Sequence, residues 1–352
     1  MHEYLEAAEQ HYACTFSHLR DASVETAERI DEATGHLKAT LGERADYSVG
    51  LDVAVFGSIA RDEMTPKSDF DYLVIAHKTV PDPALFREYR TAVEGAHEAM
   101  GIDPPGSSGL FGAVVSSNDL VNNIGLESDT NLTHSRRILV LQEGRSLLHP
   151  VERHDGLVHA ILERYLHDYA DPDVRVPRFL LNDVQRYWRT VAVDYQAKRW
   201  DELRGRKWGL RYLKLRSSRK LTYASSLVAV FSSAIRGQAL TSQSLQQEYA
   251  IPPLARLAGL LPIVEGTSGE EALRQVLVIA DEFLGSLADA TWRDDMAKVD
   301  EPHGDDVPGA FVSAQQRTAD LHTALIDLFR SNAGVGHPLG TMDALFAHYL
   351  EF

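Results

Sequence analysis

Four residues in one short stretch have the types and the spacing to do chemistry: Gly57, Ser58, Asp69 and Asp71. Leu51, Val53, Val55 and Phe56 read as a buried strand, short, apolar and stopped by glycine. Gly57 can take backbone angles that other residues resist, and it lets a ligand approach the main chain. Ser58 then opens a short segment, Ile59 to Glu63, whose free N–H groups would suit an anion, phosphate being the usual one. The Ser58 hydroxyl adds a donor. The next strand begins around Asp69. Side chains alternate along a strand, so Asp69 and Asp71 point one way while Phe70 and Tyr72 point the other. Two carboxylates on one face repel each other and disfavour the strand. A divalent cation relieves both costs, and Mg²⁺ prefers one or two carboxylates completed by phosphate oxygens and water. A metal–nucleotide site is what these parts suggest together. The competing reading makes Asp69 and Asp71 solvated turn residues between two ordinary strands. Asp-x-Asp and Gly-Ser are each common alone, and their combination in this order is the specific signal.

With Phe56-Gly57-Ser58 followed by Ser68-Asp69-Phe70-Asp71-Tyr72-Leu73, the chain resembles the nucleotidyltransferase superfamily, whose fold is shared with DNA polymerase β. The run from Gly57 to Asp69 looks most like a bacterial branch holding PII uridylyltransferase-like and antitoxin-like proteins. The resemblance covers about residues 50–76 and extends loosely to about 150. It implies that Gly57 and Ser58 hold the β- and γ-phosphates, that Asp69 and Asp71 hold Mg²⁺ or Mn²⁺, and that Arg61 contacts phosphate or substrate. The plainer reading of Arg61 is a surface arginine paired with Asp62 or Glu63. The family usually adds a third carboxylate on a later strand. Here that strand is Leu110 to Ser116, and it carries no acid. Asp103, Asp119, Glu127 and Asp129 are the nearby candidates, Asp119 just past the strand and Glu127 and Asp129 in the following loop.

The elements that must position these residues follow from pattern. Residues 1–45 read as helix, with Ile30, Ala33 and Leu37 on one face. Pro83 to Met100 reads as helix closed by Gly101. Pro104 to Gly109 is a loop, and 110–116 is strand. Arg136 to Gln142 is ambiguous between strand and helix. Leu157 to Tyr169 is helical, and Asp171 to Pro177 looks like a linker. Later helical patterns run from Leu180 to Tyr195, Leu210 to Ala234, Glu270 to Asp289 and Ala314 to Leu328, with breaks at Gly237 and Pro252-Pro253 and a polar loop around Asp300 to Pro308. The expected architecture is an α/β (α+β) nucleotidyltransferase domain with a small mixed sheet, followed by an α-helical bundle. The expected segments are 1–45 helical, 46–150 catalytic and 151–352 mostly helical.

The 352 residues can bury a sizeable core, and 44% hydrophobic with 24% charged content is ordinary for a soluble globular protein. No run has the length of a membrane span, and the acidic N-terminus lacks a signal-peptide pattern. Cys14 is the only cysteine, which rules out an internal disulfide and a cysteine zinc site and makes a cytoplasmic location the default. It reads as a helical packing residue. A net charge of −16 argues against nucleic-acid binding over the whole surface.

Against that acidic background, Lys198 to Lys220 gathers ten Lys and Arg with only Asp201 and Glu202 opposing them. Arg204, Lys207, Arg211 and Lys214 would share a helical face, with Trp200, Trp208 and Tyr212 interleaved. This face either clamps a nucleoside triphosphate, binds RNA or an acidic protein, or is a solvated surface. His149, His154, His159 and His167 invite a histidine–aspartate metal site, but their spacing supports it poorly and they read as helix-surface residues. Gly334 to Gly340 is a turn rather than a phosphate loop.

The expected activity is Mg²⁺-dependent transfer of a nucleoside monophosphate from a triphosphate to a hydroxyl acceptor, with release of pyrophosphate. The acceptor is a protein, an RNA or a small molecule, and the base is open, with ATP binding among the expectations. The alternative is a catalytically weak nucleotide-binding or regulatory protein, of the kind found in toxin–antitoxin pairs.

Overall fold

A computed structural model describes residues 1–80, 82–105, 109–167, 175–200, 207–300, 307–335 and 339–350, without the side chains of 198–200. The segment Asp171 to Val174 of the expected linker, residues 106–108, residues 336–338 and most of the Asp300 to Pro308 loop lie outside the described residues.

The chain begins with two helices, α1 (Glu3–Tyr12) and α2 (Ser17–Leu41), where the sequence suggested one helical stretch. Ala13 adopts a left-handed conformation, φ 49°, and ends α1. Then come β1 (Leu51–Phe56), β2 (Asp71–Ala76), α3 (Ala84–Ala99), β3 (Ala113–Ser116), α4 (Ser117–Asn122), α5 (Asn131–Glu143), β4 (Arg145–Ser146) and α6 (Gly156–Leu166). The ambiguous Arg136 to Gln142 is therefore helix. It belongs to α5, whose first turn is capped by the Thr130 hydroxyl accepting from the Thr133 N–H.

The strands form one mixed sheet in the order β3-β2-β1-β4. β1 pairs antiparallel with both β2 and β4, and β2 pairs parallel with β3. One sheet face packs its alternate residues Val53, Val55, Tyr72 and Val74 against Ile30, Ala33 and Leu37 of α2 and Tyr89, Val93 and Ala96 of α3. The predicted α2 face is thus a core face.

The helices that follow are α7 (Arg178–Trp200), α8 (Trp208–Lys214), α9 (Lys220–Ile235), α10 (Ser242–Tyr249), α11 (Pro253–Ala258), α12 (Leu261–Val264), α13 (Ser268–Ala288), α14 (Ala290–Lys298), α15 (Gly309–Phe329) and α16 (Met342–Tyr349). A wide π-type turn, Leu215–Arg219, joins α8 to α9. Pro253 opens α11, where its missing N–H costs nothing.

The chain groups into two compact units that are not consecutive in sequence and that cross the expected boundaries at 45 and 150. The sheet unit comprises Arg20–Ala170 and Thr241–Pro252; the helical unit comprises Met1–Leu19, Asp171–Leu240 and Pro253–Phe352. In the sheet unit, α10 returns from far along the chain to pack on α6. Ser242 Oγ donates to Glu163, and Gln246 Nε2 donates to the Asp155 carbonyl at 3.1 Å. In the helical unit, α13 packs along α15 and α1 packs on α11.

Candidate active site

β1 is buried along its whole length, so it holds its C-terminal end firmly. Phe56 stands opposite Asp71 in the β1–β2 register, which puts the following Gly57 beside the Asp71 carboxylate. Gly57 has φ +74°, and a Cβ there would lie 3.4 Å from Asp71 Oδ2. The turn after it is a single 3₁₀ turn, Gly57–Ile59, which opens the short segment to Glu63. Its carbonyls are still used: the Arg61 N–H donates to Gly57 O at 3.1 Å and the Glu63 N–H to Ser58 O at 2.9 Å.

Asp69 precedes the regular part of β2. It sits in an isolated parallel bridge with Asp103, and the Phe70 N–H donates to the Asp103 carbonyl at 3.0 Å. Burial alternates as the strand pattern requires. Asp69 is exposed and Asp71 half-buried, whereas Phe70 and Tyr72 are in the core, their ring centroids 6.4 Å apart.

Arg61 pairs with Glu63, as one of its two readings has it, but in a buried setting and with a second acid. Its Nε donates to Glu63 Oε2 at 2.9 Å, and its Nη1 donates to Glu143 Oε2 at 2.6 Å. The three side chains are 12%, 9% and 7% exposed, so this is a buried triad and not a surface pair. Burial pulls the Arg61 guanidinium down, and the two carboxylates overcome it and hold it above its ordinary value. Burial pushes the Glu63 carboxyl up against the pull of Arg61. Glu143 reaches further. Its Oε1 accepts the Gly57 N–H at 3.2 Å. A carboxylate thus sits on the donor at the head of the Gly57-Ser58 turn. Sequence reasoning missed Glu143, which ends α5 and is 86 positions from Gly57.

Of the acids considered for a third place, Asp103 stands opposite Asp69 in the bridge just described. Asp129 binds the fully buried Arg137 in a bidentate pair, 3.1 and 2.5 Å, and Arg137 also donates to Tyr165 Oη at 3.1 Å. Asp119 is exposed in the first turn of α4, and Glu127 is exposed in the loop beyond it. Among the described residues, no three or more His, Cys, Asp or Glu side chains are arranged to hold a metal ion.

Lys207, Arg211 and Lys214 belong to the helical unit. Lys207 precedes α8 with φ 72°, and its carbonyl accepts the Arg211 N–H at 3.1 Å. Arg204 lies outside the described residues. Of the histidines, His159 and His167 are exposed as expected, but His149 and His154 are buried. They lie in the sheet unit with Asp52, a fully buried β1 residue that accepts from Ser146 Oγ at 2.9 Å. Asp52 Oδ2, His149 Nε2, His154 Nδ1 and His77 Nε2 are buried without a hydrogen-bond partner. Burial lowers His77 to about 4 and His154 to about 4, and raises Asp52.

Residues 37–104 match the family model described as a nucleotidyltransferase domain. This stretch is a nucleotidyltransferase domain of the polymerase β type. It runs from the second half of α2 to just past Asp103, so it takes in Gly57, Ser58, Arg61, Asp69 and Asp71 and leaves out Glu143 and β3. A comparison with curated proteins finds no match. The nucleotidyltransferase domain supports transfer of a nucleoside monophosphate in general, with a nucleoside triphosphate as donor substrate. Among the described residues, no helix is long and apolar enough to cross a membrane.

Proposed function

We propose that this protein is a Mg²⁺-dependent nucleotidyltransferase that moves a nucleoside monophosphate to a hydroxyl acceptor and releases pyrophosphate. The observation that carries the proposal is the approach of the Asp71 carboxylate to Gly57, 3.4 Å from the place a Cβ would take, beside the accessible Asp69. A residue without a side chain lets a phosphate come close to the main chain at that place.

The donor set fits a hard cation. Two carboxylates at the accessible head of an inner strand suffice for Mg²⁺ when phosphate oxygens and water complete the shell. Asp69 and Asp71 are the residues that would hold it, and when bound it would neutralise charge on the triphosphate during in-line attack. The protein's own part is positional. The buried β1 strand fixes Gly57 and Ser58 as donors to the leaving phosphates. The Arg61 triad fixes the turn that follows. Such placement lowers the barrier through orientation and preorganised electrostatics. In the helical unit, Lys207, Arg211 and Lys214 are the proposed contacts to phosphate. The acceptor is a protein, an RNA or a small molecule, and a cytoplasmic location belongs to the same proposal.

A second reading, a catalytically weak nucleotide-binding regulator, is favoured by one observation: the Glu143 carboxylate already occupies the Gly57 N–H. The test is incubation of the protein with each α-labelled triphosphate, Mg²⁺ or Mn²⁺ and a cell extract, beside Asp69→Ala/Asp71→Ala. Label moved by the wild type alone supports transfer and reveals base and acceptor class. Nucleotide binding without transfer favours the regulator.

A further inference from the structure

The basic segment continues past Lys214 into a face that the nucleotidyltransferase reading does not use. In the helical unit, Tyr212, Arg216, Lys220 and Tyr223 follow one another at steps of four, four and three along the run from α8 through α9. That spacing puts them on one stripe. The Arg216 guanidinium lies over the Tyr212 ring, 5.4 Å from its centroid. The Tyr223 ring stacks on Trp188 of α7, with centroids 5.1 Å apart and planes at 10°. Arg189, next to Trp188, acts electrostatically on the half-buried Tyr223 phenol, which desolvation pushes up to about 12.

α15 faces the same stripe. Gln315 Nε2 donates to Tyr212 Oη at 3.3 Å. Seven residues on, His322 feels the charges of both Lys220 and Arg216. Two cations and an imidazole therefore lie on two packed segments, near enough to act on one another, and their aromatic neighbours supply no counter-charge. Among the described residues, no carboxylate pairs with Arg216, Lys220 or His322. Arg216 Nε is buried and has no acceptor. This is unexpected in a chain with 51 acidic and 35 basic residues. α15 carries Asp320 two positions from His322, yet Asp320 accepts from Gln316 at 2.9 Å. Burial and the nearby Arg216 bring Lys220 down to about 8, and burial with the same two cations lowers His322. Arg216 and Lys220 are half-buried, with His322 exposed beside them, and two like charges held in such a setting are costly unless an anion joins them.

We propose that Arg216, Lys220 and His322 form a binding site for a phosphate group, free or as a phosphomonoester. The donors suit it: a planar guanidinium for two oxygens, an ammonium as a point charge and an imidazole for a third contact. The cluster is compact, which fits one phosphate better than the run of phosphates along a nucleic acid. The site belongs to the helical unit and does not depend on the transferase reading of Asp69 and Asp71.

The test is calorimetric titration of the full chain with inorganic phosphate and, separately, with adenosine monophosphate, without divalent cation. Three variants accompany the wild type: Lys220→Gln, Arg216→Gln and Asp69→Asn/Asp71→Asn. Binding should weaken about ten- to a hundredfold in each of the first two, the range for losing a charged hydrogen bond, and persist in the third. Tighter binding of the monophosphate than of free phosphate would assign the site to phosphomonoesters; equal binding would assign it to free phosphate. Should a variant misfold, the Lys220 side chain in the wild type gives the answer by NMR, since phosphate must raise its titration from about 8. No saturable binding, equal binding by the wild type and the two cation variants, or a Lys220 titration indifferent to phosphate would overturn the proposal.

Discussion

Replacing Glu143 separates two roles that its carboxylate fills at once. Oε2 accepts from Arg61 Nη1 at 2.6 Å, and Oε1 accepts from the Gly57 N–H at 3.2 Å. Glu143→Ala removes both acceptors from a buried cluster. Breaking a buried pair costs about 3–5 kcal/mol when a charge is left alone. Glu63 still holds Arg61 Nε at 2.9 Å, so the loss should lie at the lower end, about 3 kcal/mol. Glu143→Gln is milder. Its amide oxygen can serve one donor while its amide nitrogen faces the other, a mismatch worth about 1–3 kcal/mol. Nucleotide affinity should move the opposite way. A phosphate seated on the Gly57 N–H, about 5 Å from the carboxylate, meets about 3 kcal/mol of repulsion per unit charge at an effective dielectric constant of about 20. A metal ion carried with the triphosphate offsets part of that. Removing the Glu143 charge should still tighten binding about tenfold, or 1.4 kcal/mol. Urea denaturation and calorimetry with a non-hydrolysable triphosphate and Mg²⁺ measure both quantities on the same samples. A fall in affinity parallel to the fall in stability would refute the reasoning and leave Glu143 as a brace for the turn. So would unchanged stability.

Asp69→Asn should abolish label transfer and change the unfolding free energy by no more than about 0.5 kcal/mol, because the side chain is exposed; a large stability loss would mean that Asp69 has a structural role. Gly57→Ala should cost about 1–2 kcal/mol, since an L-residue is strained at φ +74°. The new Cβ meets Asp71 Oδ2 only at ordinary contact distance, so an unchanged melting temperature would contradict the turn geometry. Acid should weaken the sheet unit. His154, kept neutral by burial and titrating at about 4, takes up its proton in the unfolded chain near pH 6.5, so stability falls as pH drops from about 6.5 to about 4 and levels off below that. The limit for His154 is about 3 kcal/mol. His77 adds a smaller loss of the same sign, because it is partly solvated, and Asp52, whose carboxyl burial raises, opposes both. Urea midpoints across this range should slope for the wild type and flatten for His154→Leu; parallel curves would sink the assignment.

How far the sequence could be read depended on how local each signal was. β1, the Gly57-Ser58 turn and the Asp69/Asp71 pair were legible because strand, glycine and alternation all act within about twenty residues. The Phe70 and Tyr72 core side followed from the same alternation. The helix α5 was not legible, because Ile138, Leu139, Val140 and Leu141 are all buried and such a run has neither a helical nor a strand period. Asp52 broke the alternation rule in the other direction. Its side of β1 reads as a solvent face, but β4 pairs alongside, bringing Ser146 Oγ to Asp52 and leaving the carboxylate fully buried. That contact, made between residues 94 positions apart, is also why His149 and His154 could not be recognised as interior residues. A polar residue at helical spacing looks like surface until a distant partner closes over it.

Glu143 and His322 show the same limit at places where charge matters. The acids near the expected strand are the ones that sequence proximity suggests, whereas the acid that touches Gly57 comes from the end of α5. A helix terminus can deliver a side chain to a strand end from any sequence distance, and propensity says nothing about which strand. Charge clustering is more readable than charge pairing. The excess of Lys and Arg up to residue 220 was visible in composition, whereas the fact that α15 brings His322, and no carboxylate among the described residues, to Arg216 and Lys220 was not. The two situations are opposite in sign. At Gly57 a carboxylate occupies a donor that a phosphate would use, while at Arg216 the donors stand without one among the described residues. Physical chemistry favours an incoming phosphate at the second place without competition, and at the first only after Glu143 gives way. A phosphate titration should therefore fill the Arg216–Lys220–His322 cluster before any anion displaces Glu143 from Gly57, and Glu143→Gln should narrow that gap from the Gly57 side alone.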